Sequence, residues 1–151
     1  NFGIDGCSAP QYAFKIKELC TAMSNLFKSF NSKYEYSKEI INIINSILNN
    51  PLFVGGSKNL DSNLIKISDK KIFCKGGAEG VFLFLHLVKG IFGIIKVADG
   101  NERALPSTMY SLLKKFKILN KEELGKFLQW NDLQIYNHAK NKIGRINTII
   151  E

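Results

Sequence analysis

Residues 71–97 read KIFCKGGAEGVFLFLHLVKGIFGIIKV. Three runs rich in β-branched and aromatic residues, Lys71–Lys75, Val81–Val88 and Ile91–Val97, are separated by Gly76-Gly77 and by Lys89-Gly90. This is the pattern of short strands joined by tight turns, and antiparallel hairpin pairing is the economical arrangement. The same region is apolar enough to suggest a membrane span. Glu79, His86, Lys89 and Lys96 interrupt it, however, and no uncharged run approaches the roughly 18 residues a span needs.

On either side of these strands the period changes from two to three and four. Tyr12, Ile16, Leu19, Cys20, Met23, Phe27 and Phe30 fall on one stripe, so a helix is expected over 10–30 with Pro10 in its first turn. Ile40, Ile41, Ile44, Ile47 and Leu48 predict a second helix over 37–49, with Ser37 as its cap and Asn50-Pro51 as its stop. Gly55-Gly56 and the polar residues from Phe53 to Asn63 read as a loop, followed by a short helix over Asp61–Ile67. Helices over 105–118 and Lys121–Leu128 follow, and a weak hairpin around Asn141-Lys142 closes the chain. The expected fold class is α/β in the α+β sense, with helices packed on a mostly antiparallel sheet.

The chain has 151 residues and 45% hydrophobic composition, which fits one domain with its own core and excludes a disordered or collagen-like chain. Cys7, Cys20 and Cys74 are odd in number and lack CxxC spacing, so a disulfide scaffold is excluded and a reducing, cytoplasmic setting is expected. No signal-peptide pattern and no initiating Met open the sequence, and a chain that is part of a longer protein is expected. The net charge is +8, but 19 of the 21 basic residues are Lys, whereas base readout and phosphate clamping favour Arg forks. Nucleic acid and membrane are therefore not expected as partners.

Two stretches carry chemistry. Asp5-Gly6-Cys7-Ser8-Ala9-Pro10 places a carboxylate, a thiol and a hydroxyl just before the expected helix, where free backbone N–H groups favour a thiolate. Cys7 is then a metal ligand or nucleophile; alternatively, Asp5 or Ser8 caps the helix and Cys7 is a small buried residue. In Cys74-Lys75-Gly76-Gly77-Ala78-Glu79-Gly80, a strand-end lysine is followed by glycines that let a substrate approach closely. This is similar in role to the K-T-G strand of Ser/Lys penicillin-binding folds, although a solvated lysine at a glycine hairpin reads equally well. Asp99–Ala104 is a third polar cluster, with a turn and cap as its plain reading. His86 and His138 have no second His at helical spacing. The two S-x-x-K matches, Ser68/Lys71 and Ser111/Lys114, are about what 11 Ser and 19 Lys supply by composition.

Taken in order, Asp5–Pro10 followed by Ala13-Phe14, then Asn50–Gly56, Lys75–Gly80 and Lys96–Ala104, resemble the L-asparaginase II family of the rhizobial, thermolabile type. The resemblance covers essentially all 151 residues but only the C-terminal part of a family member. It implies a fold similar to that of serine β-lactamases and glutaminases. It also implies hydrolysis of L-asparagine to L-aspartate and ammonia through two Ser–Lys pairs whose serines lie upstream. Lys75 looks like the lysine paired with the second serine, Asp5 like the acidic residue that orients the substrate, and Cys7 like one thiolate of a zinc site whose other ligands lie upstream.

Lys15 stands where a Pro often follows Ala-Phe. With no nucleophile of the family pattern present, the chain alone is expected to be inactive and to need the missing N-terminal half as its partner. The competing reading is a decayed or non-enzymatic remnant that binds a small amino acid or a protein. A homo-oligomer is left open. A chain without its other half is also expected to leave strands such as Val81–Val88 short of neighbours, and to aggregate or turn partly molten.

Overall fold

The computed structural model describes residues 2–32, 34 and 36–151. In chain order the elements are β1 (Phe2–Ile4), β2 (Pro10–Tyr12), α1 (Ile16–Asn31), α2 (Ser37–Asn49), α3 (Pro51–Gly55), α4 (Leu60–Ile67), β3 (Ile72–Gly77), β4 (Val81–His86), β5 (Ile91–Lys96), α5 (Leu105–Lys115), α6 (Lys121–Gly125), β6 (Leu133–Tyr136) and β7 (Lys142–Ile146). Single 3-10 turns precede α5, at Glu102–Ala104, and follow α6, at Leu128–Trp130. The fold is α+β, as the change of period along the sequence implies.

Strands β3, β4 and β5 form an antiparallel sheet in that order. Cys74 pairs with Phe84 and Lys75 with Leu83, while Phe84 pairs on its other side with Gly93. A β-carbon on Gly93 would lie 2.6 Å from the Phe84 ring, so glycine here lets the ring lie across the neighbouring strand. Val81–His86 is the central strand and is paired on both sides, which corrects the expectation that it lacks neighbours. Two further antiparallel ladders, β1 with β2 and β6 with β7, stand apart from the central sheet.

The core gathers on this sheet. Ile44 and Leu48 of α2, Leu64 and Ile65 of α4, Ile72 and Cys74 of β3, Phe82 and Leu85 of β4, and Met109 and Leu113 of α5 are buried together. Helix α1 packs against β5 and α4 against β3. Phe27 closes on the turn at Gly90, where a β-carbon would come within 2.9 Å of its ring. Cys20 is only half-buried, whereas Cys74 is fully buried.

Several local expectations need correction. Residues 10–12 are a strand and the first helix begins at Ile16. Its entry is fixed by the Glu18 carboxylate, which accepts the Lys15 N–H at 2.8 Å, a donor that Pro at this position would lack. Ser37 is the first residue of α2 rather than its cap, Tyr36 holding the cap position. The expected loop at 53–63 begins inside α3, because Pro51 suits a first helical turn and Gly56, at φ 74°, ends it. Gly76 and Gly77 belong to β3, and the turn is made by Ala78, Glu79 and Gly80, the last two in the left-handed region. A C-terminal hairpin forms, but its turn lies at Asn137–Asn141, earlier than the expected Asn141-Lys142, and Lys142 opens its second strand. Among the described residues no helix is long and apolar enough to cross a membrane.

Candidate functional site

A cavity of about 510 Å³ opens where the start of α4 meets β3 and the 3-10 turn before α5. Lys75, Gly76 and Gly77 of the strand form one wall, Lys58, Asn59 and Asp61 a second, and Glu102 and Pro106 a third. Lys75 thus stands at the rim of this cavity, with its side chain half-exposed.

Asp61, in the first turn of α4, organises this wall. Its carboxylate is buried, with 6% of the side chain exposed. Oδ1 accepts the Ser62 N–H at 3.0 Å and Oδ2 accepts the Gly76 N–H at 3.3 Å. Lys75 Nζ lies 3.7 Å from Oδ2 and also donates to the Gly76 carbonyl. On the other side of Lys75, the Cys74 thiol donates to the Asp61 carbonyl at 3.5 Å. Burial pushes the Cys74 thiol well above its ordinary range, and the neighbouring Asp61 carboxylate adds to the shift while Lys75 opposes it. Cys74 is therefore a packed, unreactive thiol.

Asp5 and Cys7 occupy a different place. They lie in the turn between β1 and β2, and neither lines the cavity. Asp5 Oδ1 accepts the N–H groups of Cys7 at 2.8 Å and Ala9 at 2.9 Å, and Oδ2 accepts the Gln11 side-chain amide at 2.9 Å. The Ala9 and Cys7 amides, in that order, hold the Asp5 carboxyl below its ordinary range. Because α1 starts at Ile16, Cys7 does not stand immediately before a helix, which corrects the expectation that it does. Cys7 is exposed, and no group of three His, Cys, Asp or Glu side chains able to hold a metal ion occurs among the described residues. These residues do not by themselves make up a zinc site.

The family model for L-asparaginase II matches residues 1–148. The chain belongs to the L-asparaginase II family. No curated protein matches it.

Within this asparaginase II chain the remaining candidates resolve into structural roles. Asp99 and Arg103 form an ion pair, and Asn101 caps the 3-10 turn by accepting the Arg103 N–H at 2.9 Å, so that cluster is a turn and cap with Glu102 presented to the cavity. Ser68 is buried and accepts the Ile72 N–H, while Lys71 is ion-paired to Glu123. Ser111 donates to the Thr148 carbonyl at 3.4 Å. His86 is a packed residue whose Nδ1 accepts the Val88 and Lys89 N–H groups.

Asp61 escaped the sequence reading as a site residue. Its pairing with the glycines at 55 and 76 is visible only once the elements are folded together. A β-carbon on Gly55 would lie 2.0 Å from Asp61 Oδ1, so glycine at 55 makes room for the carboxylate. Among the described residues no hydroxyl or thiol lines the cavity.

Proposed function

We propose that this chain supplies one wall of an L-asparaginase active site, in which Lys75 moves protons during hydrolysis of the side-chain amide of L-asparagine. The observation that carries the reading is the Lys75 amine at the rim of a cavity in a chain of the L-asparaginase II family. In the proposed reaction a serine hydroxyl brought by another segment attacks the amide carbon. Its proton passes to a neighbouring lysine, which delivers it to the amide nitrogen as the C–N bond breaks and ammonia leaves. Water then cleaves the ester to give L-aspartate and the free serine. Lys75 is assigned to the second Ser–Lys pair as general base and proton shuttle, a role suited to an amine beside a partly enclosed cavity.

The fragment reading belongs to this proposal. The serines of the family pattern are supplied by an upstream half, and the chain alone is inactive. Asp5 is proposed to orient the substrate once that half is present. Cys7 becomes a zinc ligand only with further ligands from the same source, and no step is assigned to zinc. A binding-only role is the second reading, favoured by the absence of any hydroxyl or thiol in the cavity lining.

The test is ammonia release from L-asparagine by the chain alone and by the chain joined to its genomic upstream coding segment, each with Lys75→Ala. Activity confined to the joined protein and lost in the variant supports the proposal. Activity of the chain alone overturns the upstream-serine assignment, and no activity in either form moves the reading to binding without turnover.

A further inference from the structure

We infer that Asp61 is the positioning residue for Lys75, fixing its amine at the cavity rim; the inference rests on the amide-hydrolysis reading for its catalytic consequence. Lys75 has a long, flexible, half-exposed side chain, and such an amine samples many rotamers unless something holds it. Asp61 is equipped to hold it. A buried carboxylate needs hydrogen bonds and a counter-charge. Asp61 takes its hydrogen bonds from the Ser62 and Gly76 amides; Lys75 Nζ is the cation beside it, ion-paired at 3.7 Å from Oδ2 and hydrogen-bonded to the carbonyl of the same Gly76 that Asp61 anchors.

The clamp reaches β3 on both sides of Lys75. The Cys74 thiol donates to the Asp61 carbonyl and the Gly76 amide donates to its carboxylate, so the first turn of α4 is tied to the residues before and after the lysine. Gly55 completes the arrangement from the far side. Its missing β-carbon leaves the volume that Oδ1 occupies, and the next neighbour of that volume, Asp61 Cγ, is only 2.7 Å from where the carbon would sit. Three elements, α3, α4 and β3, therefore converge to place one carboxylate beside one amine.

The decisive experiment is a double-mutant cycle of Asp61→Asn and Lys75→Ala in the joined, asparagine-hydrolysing protein. Asp61→Asn is expected to lower kcat about 30-fold with KM changed less than about twofold, and to lower the residual rate of the Lys75→Ala protein less than about twofold. Equal losses in both backgrounds would overturn the inference, because a structural lesion does not depend on the lysine. A second readout does not need turnover: acetylation of Lys75 by limiting acetic anhydride, followed by peptide mass spectrometry with exposed Lys38 as the internal reference. An amine drawn in against a buried carboxylate at the cavity wall is less accessible to the reagent than one standing free in water. The Lys75/Lys38 ratio is expected to rise about threefold in Asp61→Asn, and in Gly55→Ala, which displaces the carboxylate without altering it. An unchanged ratio in folded protein would overturn the inference. A raised ratio, together with a joined protein that hydrolyses no asparagine, would uphold the clamp and refute the amide-hydrolysis reading alone.

Discussion

The backbone of Gly55 and the carboxylate of Asp61 occupy space that a single methyl group would contest, the ideal β-carbon of residue 55 falling 2.0 Å from Oδ1. Gly55→Ala is therefore expected to destabilise the protein by about 1–3 kcal/mol, the usual range for overpacking a well-filled site. Gly125→Ala, at a position with no atom within 4 Å of the added carbon, is the control and is expected to be neutral or slightly stabilising. Urea denaturation of the two variants checks the contrast.

The sheet offers an independent test of packing. Gly93→Ala brings a methyl group to 2.6 Å from the Phe84 ring and is expected to cost a similar 1–3 kcal/mol, roughly. Pairing it with Phe84→Leu, which removes the ring, is expected to recover part of that loss. Additive losses in the double variant would refute the contact as the cause.

Thiol reactivity should follow position in the fold. Cys7 is exposed, Cys20 half-buried and Cys74 buried with its thiol pushed up by desolvation. Timed alkylation of native protein at pH 8 is expected to modify Cys7 first, Cys20 more slowly and Cys74 only on unfolding. Early modification of Cys74 would contradict its place beneath Asp61.

The Lys71–Glu123 ion pair ties the start of β3 to α6 and sets a pH window. The Lys71 hydrogen bond first, then the Asn120 amide, hold Glu123 below its ordinary 4.5, and Glu123 holds Lys71 above its ordinary 10.5. For the depressed carboxylate, the stabilisation is present above its unfolded value and fades as pH falls through the lower folded value. For the raised lysine, it is complete below its unfolded value and fades as pH rises through the folded one. The stability gap between the parent and Glu123→Gln is thus expected to be level near neutrality and to close on both sides. Urea midpoints across pH give the measurement.

Asp5 separates turn-making from substrate contact. Asp5→Asn retains an oxygen that can accept the Cys7 and Ala9 amides, whereas Asp5→Ala does not. Both variants are expected to lose asparagine hydrolysis if Asp5 orients substrate, but only Asp5→Ala should speed amide exchange at Cys7 and Ala9. Full activity in Asp5→Asn would confine Asp5 to the hairpin turn.

The sequence was most readable where side-chain period and burial agree. The glycine-bounded apolar run through Val81–His86 and the stripe through Ile40, Ile44, Ile47 and Leu48 both predict their elements to within a few residues. It was least readable at Pro10–Tyr12. There a three-residue strand depends on Phe2–Ile4 across a turn, and Tyr12 also happens to fit the helical stripe beginning at Ile16. Lys75 was legible as a candidate because its glycine neighbours adjoin it in the chain, and it lines the cavity. Asp61 was not, because its partners at 55, 74, 75 and 76 lie in other elements, and periodicity carries no information about which elements meet.

All the residues lining the cavity fall between Val54 and Pro106. Its walls are thus joined by short chain segments, and closing them requires neither end of the polypeptide to return. Local closures cost little entropy and form early in a folding reaction. A chain trimmed of β1–β2 or β6–β7 therefore keeps every residue that lines the pocket.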